Sequence, residues 1–270
     1  MQLTPSPYLF HIVKHYLILE NKHDAPSKYR LFSDGNPGIV FYFNTPLMQY
    51  TDQHLYAHPS SFVYGQLTQY KDLVSVGKLG MLVVVLQPYA IYALSRVAAY
   101  ELNDDIANLS DVFGAVATDL EDQVLGAAST QDRINHIESF LLKKLSIVSY
   151  TEGIFSNALK LINDYKGNIS VAGLLNILPV TERQLERKFK QFIGVGPKRF
   201  ADTVKLQHFL KLLQKQSPCN NIADTVYEGG YYDQAHLNNY FRKNTGITPS
   251  QYKANSNPLA INFISVPAVL

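Results

Sequence analysis

Cationic side chains recur at helical spacing in the second half of this 270-residue sequence. On a helical wheel Arg183, Arg187 and Lys190 share one side, and Glu186 lies alongside them. The apolar residues of the same segment fall on the opposite side: Leu185, Phe189 and Phe192. Arginine pairs with guanine in the major groove of DNA, and other cations meet phosphate. The outer face of this predicted helix therefore has the chemistry of a nucleic-acid contact.

A second segment of the same kind carries amides in place of cations. Its buried positions are predicted to be Leu237 and Phe241. Around them lie residues that can meet base edges: Gln234, Ala235, His236, Asn238 and Asn239. Glutamine and asparagine pair bidentately with adenine. The two segments together predict two base-reading helices in one chain.

The two segments are copies of one unit at a constant offset of 52 residues. The matched pairs are Thr181 with Asp233, Leu185 with Leu237, Phe189 with Phe241, Gly194 with Gly246, Val195 with Ile247, and Pro197 with Pro249. Upstream, Val171 and Leu174 fall on Ala223 and Val226. An ungapped match at polar, core and turn positions together indicates a structural repeat.

Each copy has the sequence of a helix-turn-helix. Thr181 and Asp233 are expected to cap the second helix, since their side-chain oxygens accept from early helical N–H groups. Gly194 and Gly246 are expected to end it in the left-handed conformation. A shorter apolar pattern precedes each cap across a tight connection, at Pro179 in one copy and at 229–230 in the other. Two helices at a short turn are the helix-turn-helix arrangement.

The segment between the copies predicts one long helix over 198–214. Its length of roughly 25 Å would hold the two recognition helices about one DNA turn, roughly 34 Å, apart. We therefore expect a single module that reads two adjacent major grooves of double-stranded DNA.

The residues from 154 to 252 resemble the AraC/XylS family of bacterial transcription regulators, with Phe241, Gly246, Pro249 and Tyr252 at the positions of its signature. The resemblance implies two helix-turn-helix units joined by a long helix, and a regulator, most often an activator, that works beside RNA polymerase. The family's contact positions carry over to Arg183, Gln184, Glu186, Arg187, Gln234, Ala235, His236, Asn238 and Asn239. In many relatives a β-rich module precedes the DNA-binding part and binds a small effector or forms a homodimer.

The first half predicts such a β-rich domain, a cupin-like sandwich or barrel, so that the fold class is α+β. Short aromatic and β-branched runs, such as 39–43 and 62–64, alternate with turn signals. The run 79–86 is continuously apolar, which predicts a strand buried on both faces. Seven aromatic residues are candidates either for a ligand pocket or for an ordinary core: Tyr42, Phe43, Tyr50, Tyr56, Phe62, Tyr64 and Tyr70.

Helical patterns take over near residue 104. Val112, Val116, Leu120 and Val124 predict a helix over 111–125, and a second helix over 131–145 is expected to start at Ser129 or Thr130. This second helix is expected to pack on its own chain or on a second copy. The predicted organisation is 1–125 sensory domain, 126–153 helical connector, 154–255 DNA-binding domain and 256–270 apolar tail of unassigned role.

The charge supports this division. The formal net charge of +2 is the sum of −5 over residues 1–154 and +7 over 155–270. A basic half is typical of a polyanion partner. The sequence starts without the pattern of a signal peptide, and its longest apolar run, 81–86, is far short of the roughly 20 residues of a membrane span. We therefore expect a cytoplasmic protein, in which the single Cys219 is a reduced thiol.

Two alternatives stay open. In the first, the β-rich half is a cupin-type metal-dependent enzyme and the helical half is a partner-binding appendage. In the second, the repeated helices bind protein and not DNA. The pairs His11/His15 and His54/His58 have a spacing compatible with a metal on a helix, but no carboxylate pattern accompanies them. No phosphate loop or nucleophile elbow occurs. We therefore expect neither catalysis nor a cofactor.

Overall fold

The computed structural model describes residues 1–21, 25–51, 54–147, 153–215, 222–255 and 258–266. Its strands are β1 (Gln2–Leu3), β2 (Val13–Glu20), β3 (Ser27–Leu31), β4 (Gly38–Tyr42), β5 (Met48–Thr51), β6 (His54–Ala57), β7 (Ser61–Tyr64), β8 (Lys71–Ser75), β9 (Gly80–Leu86), β10 (Ile106–Ala107) and β11 (Phe263–Val266). They form two sheets, in the orders β1-β2-β9-β4-β7-β10 and β11-β3-β8-β5-β6, and every pairing is antiparallel. The expected α+β class with an N-terminal β sandwich is confirmed.

The helices follow the β-rich part, with a first short one inside it. They are α1 (Ala90–Ser95), α2 (Leu109–Phe113), α3 (Val116–Gly126), α4 (Thr130–Ile147), α5 (Gly153–Asp164), α6 (Val171–Ile177), α7 (Glu182–Ile193), α8 (Pro197–Lys215), α9 (Ile222–Glu228), α10 (Gln234–Thr245) and α11 (Pro249–Ala254). Single 3-10 turns lie at Pro7–Leu9 and Ala99–Leu102. Within the described ranges, no helix is both long enough and apolar enough to cross a membrane.

Strand β9 lies in the middle of the larger sheet and is buried over its whole length. Leu82 and Val84 point into a core shared with α1 to α4, while Val83 and Val85 point into the core between the two sheets. Because both faces of the strand are covered, its residues are apolar throughout and do not alternate between apolar and polar. This confirms the expectation for 79–86.

Helices α2 to α4 cover the outer face of the larger sheet. Helix α4 begins after Ser129, whose hydroxyl accepts from the backbone N–H of Asp132 at 3.1 Å, and it buries Ile134, Ile137 and Leu141 against its own chain. The helix expected over 111–125 is instead two helices. The chain breaks at Gly114, which has a φ of +81°, and this break leaves Val116 53% exposed.

The helical half has two hydrophobic cores that share helix α8. Phe200 and Ala201, near its start, pack in a core with α5 to α7. Leu206 and Phe209, farther along, pack in a second core with α9 to α11. The expected long helix over 198–214 is confirmed, and it buries side chains around its circumference because a core lies on more than one side of it.

The segment predicted as an apolar tail contains β11, which pairs with β3 at the edge of the smaller sheet. Its neighbouring residues enter different cores: Phe263 packs between the sheets, 5.2 Å from the ring of Tyr29, and Ile264 packs in the second helical core. The backbone N–H of Phe32 donates to the carbonyl of Asn262 at 3.0 Å. The last described residues therefore hold the second helical core against the β sandwich.

We predict that Ile264→Ala lowers the free energy of unfolding by about 2 to 5 kcal/mol, because it removes a side chain that is only 1% exposed and leaves a cavity. Urea unfolding followed by circular dichroism measures this change. The matched control is Ser265→Ala at an exposed position of the same strand, expected within about 0.5 kcal/mol of the parent. Equal unfolding midpoints for both variants would contradict the role of β11.

Candidate nucleic-acid interface and interdomain cavity

Helix α7 begins and ends as its sequence predicts. The Thr181 hydroxyl accepts from the backbone N–H of Gln184 at 3.3 Å, and the Gln184 amide oxygen accepts from the backbone N–H of Thr181 at 3.0 Å. This reciprocal capping box satisfies two donors that the helix start leaves free. At the other end Gly194 has a φ of +100°, a left-handed conformation that costs glycine nothing.

Helix α10 repeats this design with an aspartate as its cap. The carboxylate of Asp233 accepts from the backbone N–H of His236 at 2.7 Å. Gly246 has a φ of +71°, and its N–H donates to the carbonyl of Arg242 at 2.8 Å. The paired caps, the buried Leu237 and Phe241, and the shorter preceding helix α9 confirm the helix-turn-helix repeat.

The outer face of α7 is open to solvent. Of the residues predicted to contact DNA, four are exposed: Arg183, Gln184, Arg187 and Lys190. Glu186 is half-buried and its carboxylate lies beside Gly196, just before α8 begins. An acidic group at this position stabilises the positive N-terminal end of a helix. The structure thus gives Glu186 a contact within the protein, as the capping box does for Gln184.

The outer face of α10 is exposed at Gln234, Ala235, His236 and Asn239, and Asn238 is half-buried. Two neighbours that the sequence analysis left out are among the most exposed aromatic residues described: Tyr232 is 84% exposed and Tyr227 is 75% exposed. They flank the turn that leads into α10. The available signal was the position of Tyr232 directly before the predicted cap Asp233, whereas Tyr227 lies in the preceding helix α9.

The first helix-turn-helix unit docks on the β-rich half through the side opposite its exposed α7 face. The rings of Tyr92 and Phe192 are 4.5 Å apart, and the Gln191 amide donates to the Tyr92 hydroxyl at 2.9 Å. The Asn103 amide donates to the carbonyl of Gly194 at 2.7 Å. Because these contacts use the C-terminal end and inner face of α7, its predicted DNA-reading face stays free.

A cavity of about 610 Å³ lies between the two sheets and reaches helix α8. Its walls are mainly apolar: Leu17, Leu19, Leu31, Val40, Leu47, Phe62, Leu73, Met81, Val83, Val85 and Phe263. Five consecutive residues before and into β11, 259–263, also line it. Of the seven aromatic candidates, Tyr42, Phe62 and Tyr64 lie on this cavity, while the other four (Phe43, Tyr50, Tyr56 and Tyr70) are not among its lining residues.

One end of the cavity is basic and is built from both halves of the chain. Lys14 and His15 come from β2, whereas Gln207 and Lys211 come from α8, and Asp34 lies nearby. Burial lowers the pKa of Lys14, and Lys211 lowers it further while Asp34 opposes both. Burial and the neighbouring Lys14 likewise lower the pKa of His15. Because Lys211 lowers the pKa of Lys14, an anion placed between the two ammonium groups would be favoured.

Another wall carries the buried pair Tyr42 and His58. The Tyr42 hydroxyl lies 3.2 Å from Nδ1 of His58. Burial, with a contribution from Lys71, lowers the pKa of His58 to about 4, and burial raises the pKa of Tyr42 above its usual value. Both groups are therefore neutral near pH 7. The sequence offered no signal for the pair, because its partners are 16 residues apart and meet only through the sheet.

The histidine pairs considered as metal ligands do not act as pairs. His15 lies in β2 with His11 before that strand begins, and His54 and His58 are in and after the edge strand β6, so helical spacing does not apply. Among the residues the structure describes, no group of three or more His, Cys, Asp and Glu side chains is arranged to hold a metal. Cys219 lies outside the described residues.

A capped helix with an outward polar face in each of two helix-turn-helix units defines a DNA-binding module. A family described as a helix-turn-helix domain matches residues 174–255, and a domain family of unknown function, DUF6597, matches 1–108. No curated protein matches the chain. The first match shows a helix-turn-helix domain over residues 174–255, as the sequence analysis expected.

The fold is similar to that of ToxT from Vibrio cholerae. One ToxT structure aligns over 88% of this chain and 97% of its own, with 13% identity and a TM-score of 0.51. A ToxT structure with bound unsaturated fatty acid aligns over 88% of this chain and 94% of its own, with 11% identity and a TM-score of 0.50. These alignments extend the shared fold across both halves of the chain.

We predict that His58 lowers the stability of the folded protein as the pH drops through the acid range. Its pKa is about 4 in the folded protein and about 6.5 when unfolded. Between these values only the unfolded chain takes up the proton, so the free energy of unfolding decreases as pH falls from about 6.5 to about 4, by up to roughly 1.4 kcal/mol per pH unit.

Urea unfolding at a series of pH values tests this in His58→Phe, which should show a shallower loss of stability below about pH 6.5 than the parent. His54→Phe, at an exposed position of the edge strand β6, is the control and should keep the parental slope. An unchanged slope in His58→Phe would show that this histidine titrates normally.

Proposed function

We propose that this regulator activates transcription by reading two successive major grooves with α7 and α10. The observation that carries the proposal is the pair of capped helices with free outer faces at either end of α8, a 19-residue helix of about 28 Å. The proposed contacts are Arg183, Gln184, Glu186, Arg187 and Lys190 from α7, and Gln234, Ala235, His236, Asn238 and Asn239 from α10. Among these, Glu186 has the weakest support because its carboxylate lies beside Gly196.

Base and phosphate contacts have different signatures. We expect Arg187→Ala to weaken specific binding by about 1 to 3 kcal/mol, because arginine pairs bidentately with guanine. Lys190→Ala should lower affinity on all sequences alike and reduce the salt dependence by about one released ion. Footprinting on the upstream region of the protein's own gene locates the site, and gel-shift titrations at several salt concentrations give both quantities.

The control for these variants is Lys160→Ala. Lys160 is an exposed cation of the same helical half, but its ammonium is paired with Asp164 at 2.5 Å on α5. It should leave affinity and salt dependence unchanged. If no specific site is found at moderate salt, or if Arg187→Ala binds like the parent, then the DNA-reading assignment fails.

We further propose that the cavity binds the effector and that the effector is an amphipathic carboxylic acid. The apolar walls suit a hydrocarbon body, and Lys14 and Lys211 suit an anionic head. The fatty acid bound by ToxT has this chemistry. Since Lys14 belongs to the β-rich half and Lys211 to α8, a head held by both would fix the DNA-binding module relative to the sensory domain.

Several parts of this function rest on the family alone. A regulator of this kind works in the cytoplasm, contacts RNA polymerase next to its DNA site and can form a homodimer. In the structure the apolar face of α4, a candidate for such a dimer, already packs on its own chain through Ile134, Ile137 and Leu141. This packing favours a dimer, if formed, through another surface.

We predict that Lys14→Ala and Lys211→Ala each weaken oleate binding by roughly tenfold, the value of one charge-assisted hydrogen bond. Isothermal titration calorimetry of the full chain measures the affinity. Oleyl alcohol, which has the same hydrocarbon body without the charge, should bind the parent and both variants equally.

Lys215→Ala is the matched control, since it lies one turn beyond Lys211 on α8 and does not line the cavity. It should bind oleate like the parent. If both cavity lysines can be removed without loss of oleate affinity, the head group does not bind between the two halves of the chain.

A further inference from the structure

Two tyrosines of the second helix-turn-helix unit face solvent although the core of that unit lies beside them. Tyr232 is 84% exposed, whereas its neighbour Tyr231 is 3% exposed and packs in the second helical core. Tyr227, in α9, is 75% exposed, while the residue before it, Val226, is buried in the same core. Among the described residues of that core neither exposed ring appears. The packing of the unit therefore does not explain why these two positions are tyrosine.

The first unit has apolar residues at the equivalent positions. At the offset of 52 residues, Tyr227 corresponds to Leu175 and Tyr232 corresponds to Val180. Both of these apolar side chains are partly buried and pack against the first helical core. The two units thus share one arrangement of helices, but the second exposes phenol groups at positions that the first uses for packing.

The second unit also lacks most of the cations of the first. At the same offset the three cations of the α7 outer face correspond to a single cation in α10, in the pairs Arg183 with Ala235, Arg187 with Asn239, and Lys190 with Arg242. The caps differ in the same direction, since the neutral Thr181 corresponds to the carboxylate of Asp233. DNA phosphates beside α10 therefore meet few cations and are better held by uncharged donors. The tyrosine hydroxyl is a donor of this kind, and proteins use it to bind phosphate.

The backbone holds both tyrosines at the end of α10 that enters the groove in the proposed complex. The N–H of Gly230 donates to the carbonyl of Tyr227 at 2.9 Å, and the N–H of Tyr231 donates to the carbonyl of Val226 at 3.0 Å. These bonds close the turn between α9 and α10, and Tyr232 follows directly, before the cap of α10. In helix-turn-helix proteins the start of the second helix reaches the bases while the first helix crosses the DNA backbone. Both tyrosines therefore lie where the phosphates that border the groove would pass.

We propose that Tyr227 and Tyr232 are phosphate-binding residues of the second unit, each donating its phenol hydroxyl to a phosphate oxygen beside the groove that α10 reads. This inference rests on the proposed DNA binding and deepens it. The two contacts hold DNA without releasing counterions, because the donors carry no charge. The cations of the first unit, in contrast, make its share of the affinity fall as the salt concentration rises.

The test is a set of gel-shift titrations of the full chain at several salt concentrations, with the footprinted site and with an unrelated duplex of the same length. Tyr227→Phe and Tyr232→Phe should each weaken binding roughly tenfold on both duplexes, because each loses a hydrogen bond to a charged group that carries no sequence information. The slope of log affinity against log salt concentration should stay parental, unlike that of Lys190→Ala. Tyr232→Lys should steepen this slope by about one released ion, because it places a charge beside the phosphate.

Tyr8→Phe and Tyr8→Lys are the matched controls, since Tyr8 is 78% exposed but lies in the β-rich half. Both should keep the parental affinity and slope. If either Tyr227→Phe or Tyr232→Phe binds both duplexes like the parent, or loses affinity for the footprinted site alone, that tyrosine is not a phosphate contact, and this inference is wrong while the DNA-binding function stands. If the parent binds neither duplex, the DNA-binding function is wrong and this inference with it.

Discussion

The burial of helix α8 in two cores is the constraint on which the rest of the helical half depends. Phe200 and Ala201 belong to the first helix-turn-helix unit, while Leu206, Phe209, Leu210 and Leu213 belong to the second. A helix that buries apolar side chains on more than one side is stabilised only when a core covers each of those sides. Each unit therefore needs α8 to complete its core, and neither can shift relative to the other without opening one of them. The relative setting of α7 and α10 follows from the packing of this one helix.

The same helix also reaches the β-rich half, where the contacts are polar. The amide of Gln207 donates to the carbonyl of Ser33 at 2.9 Å, and Lys211, one turn farther on, lines the cavity. Strand β11 closes the opposite side, with Phe263 in the sandwich and Ile264 in the second helical core. A molecule in the cavity would touch both α8 and the segment leading into β11. A ligand can shift a conformational equilibrium only through contacts that differ between the states. Contacts with α8 and with the segment leading into β11 join the two halves, so they would differ if the halves moved apart.

The sequence predicted the repeated half in detail because its signals are local. Thr181 and Asp233 cap helices through bonds three residues away, and Gly194 and Gly246 end them within the same turn. The cavity could not be predicted in this way. Lys14 and Lys211 are far apart in sequence and meet only because α8 lies across the sandwich, and the Tyr42–His58 pair depends on which strands are neighbours. The strand in the C-terminal tail was missed for the same reason, since its partner β3 is at the other end of the chain.

The way the halves dock limits how the proposed DNA binding can be controlled. Arg183 and Arg187 are exposed while α7 is held by Tyr92 and Asn103, so docking does not mask the reading face. Because this face of α7 is already exposed, DNA binding by α7 cannot be controlled by uncovering it. Docking fixes the orientation of the helical module relative to the β-rich half. The first unit is held through α7, and the second through Ile264 and Tyr252. The Tyr252 hydroxyl donates to the carbonyl of Ile261 at 2.9 Å. The proposed reading of two successive grooves by α7 and α10 would tolerate little error in the spacing of these helices. Control by an effector would therefore operate on the alignment of the two reading faces with DNA.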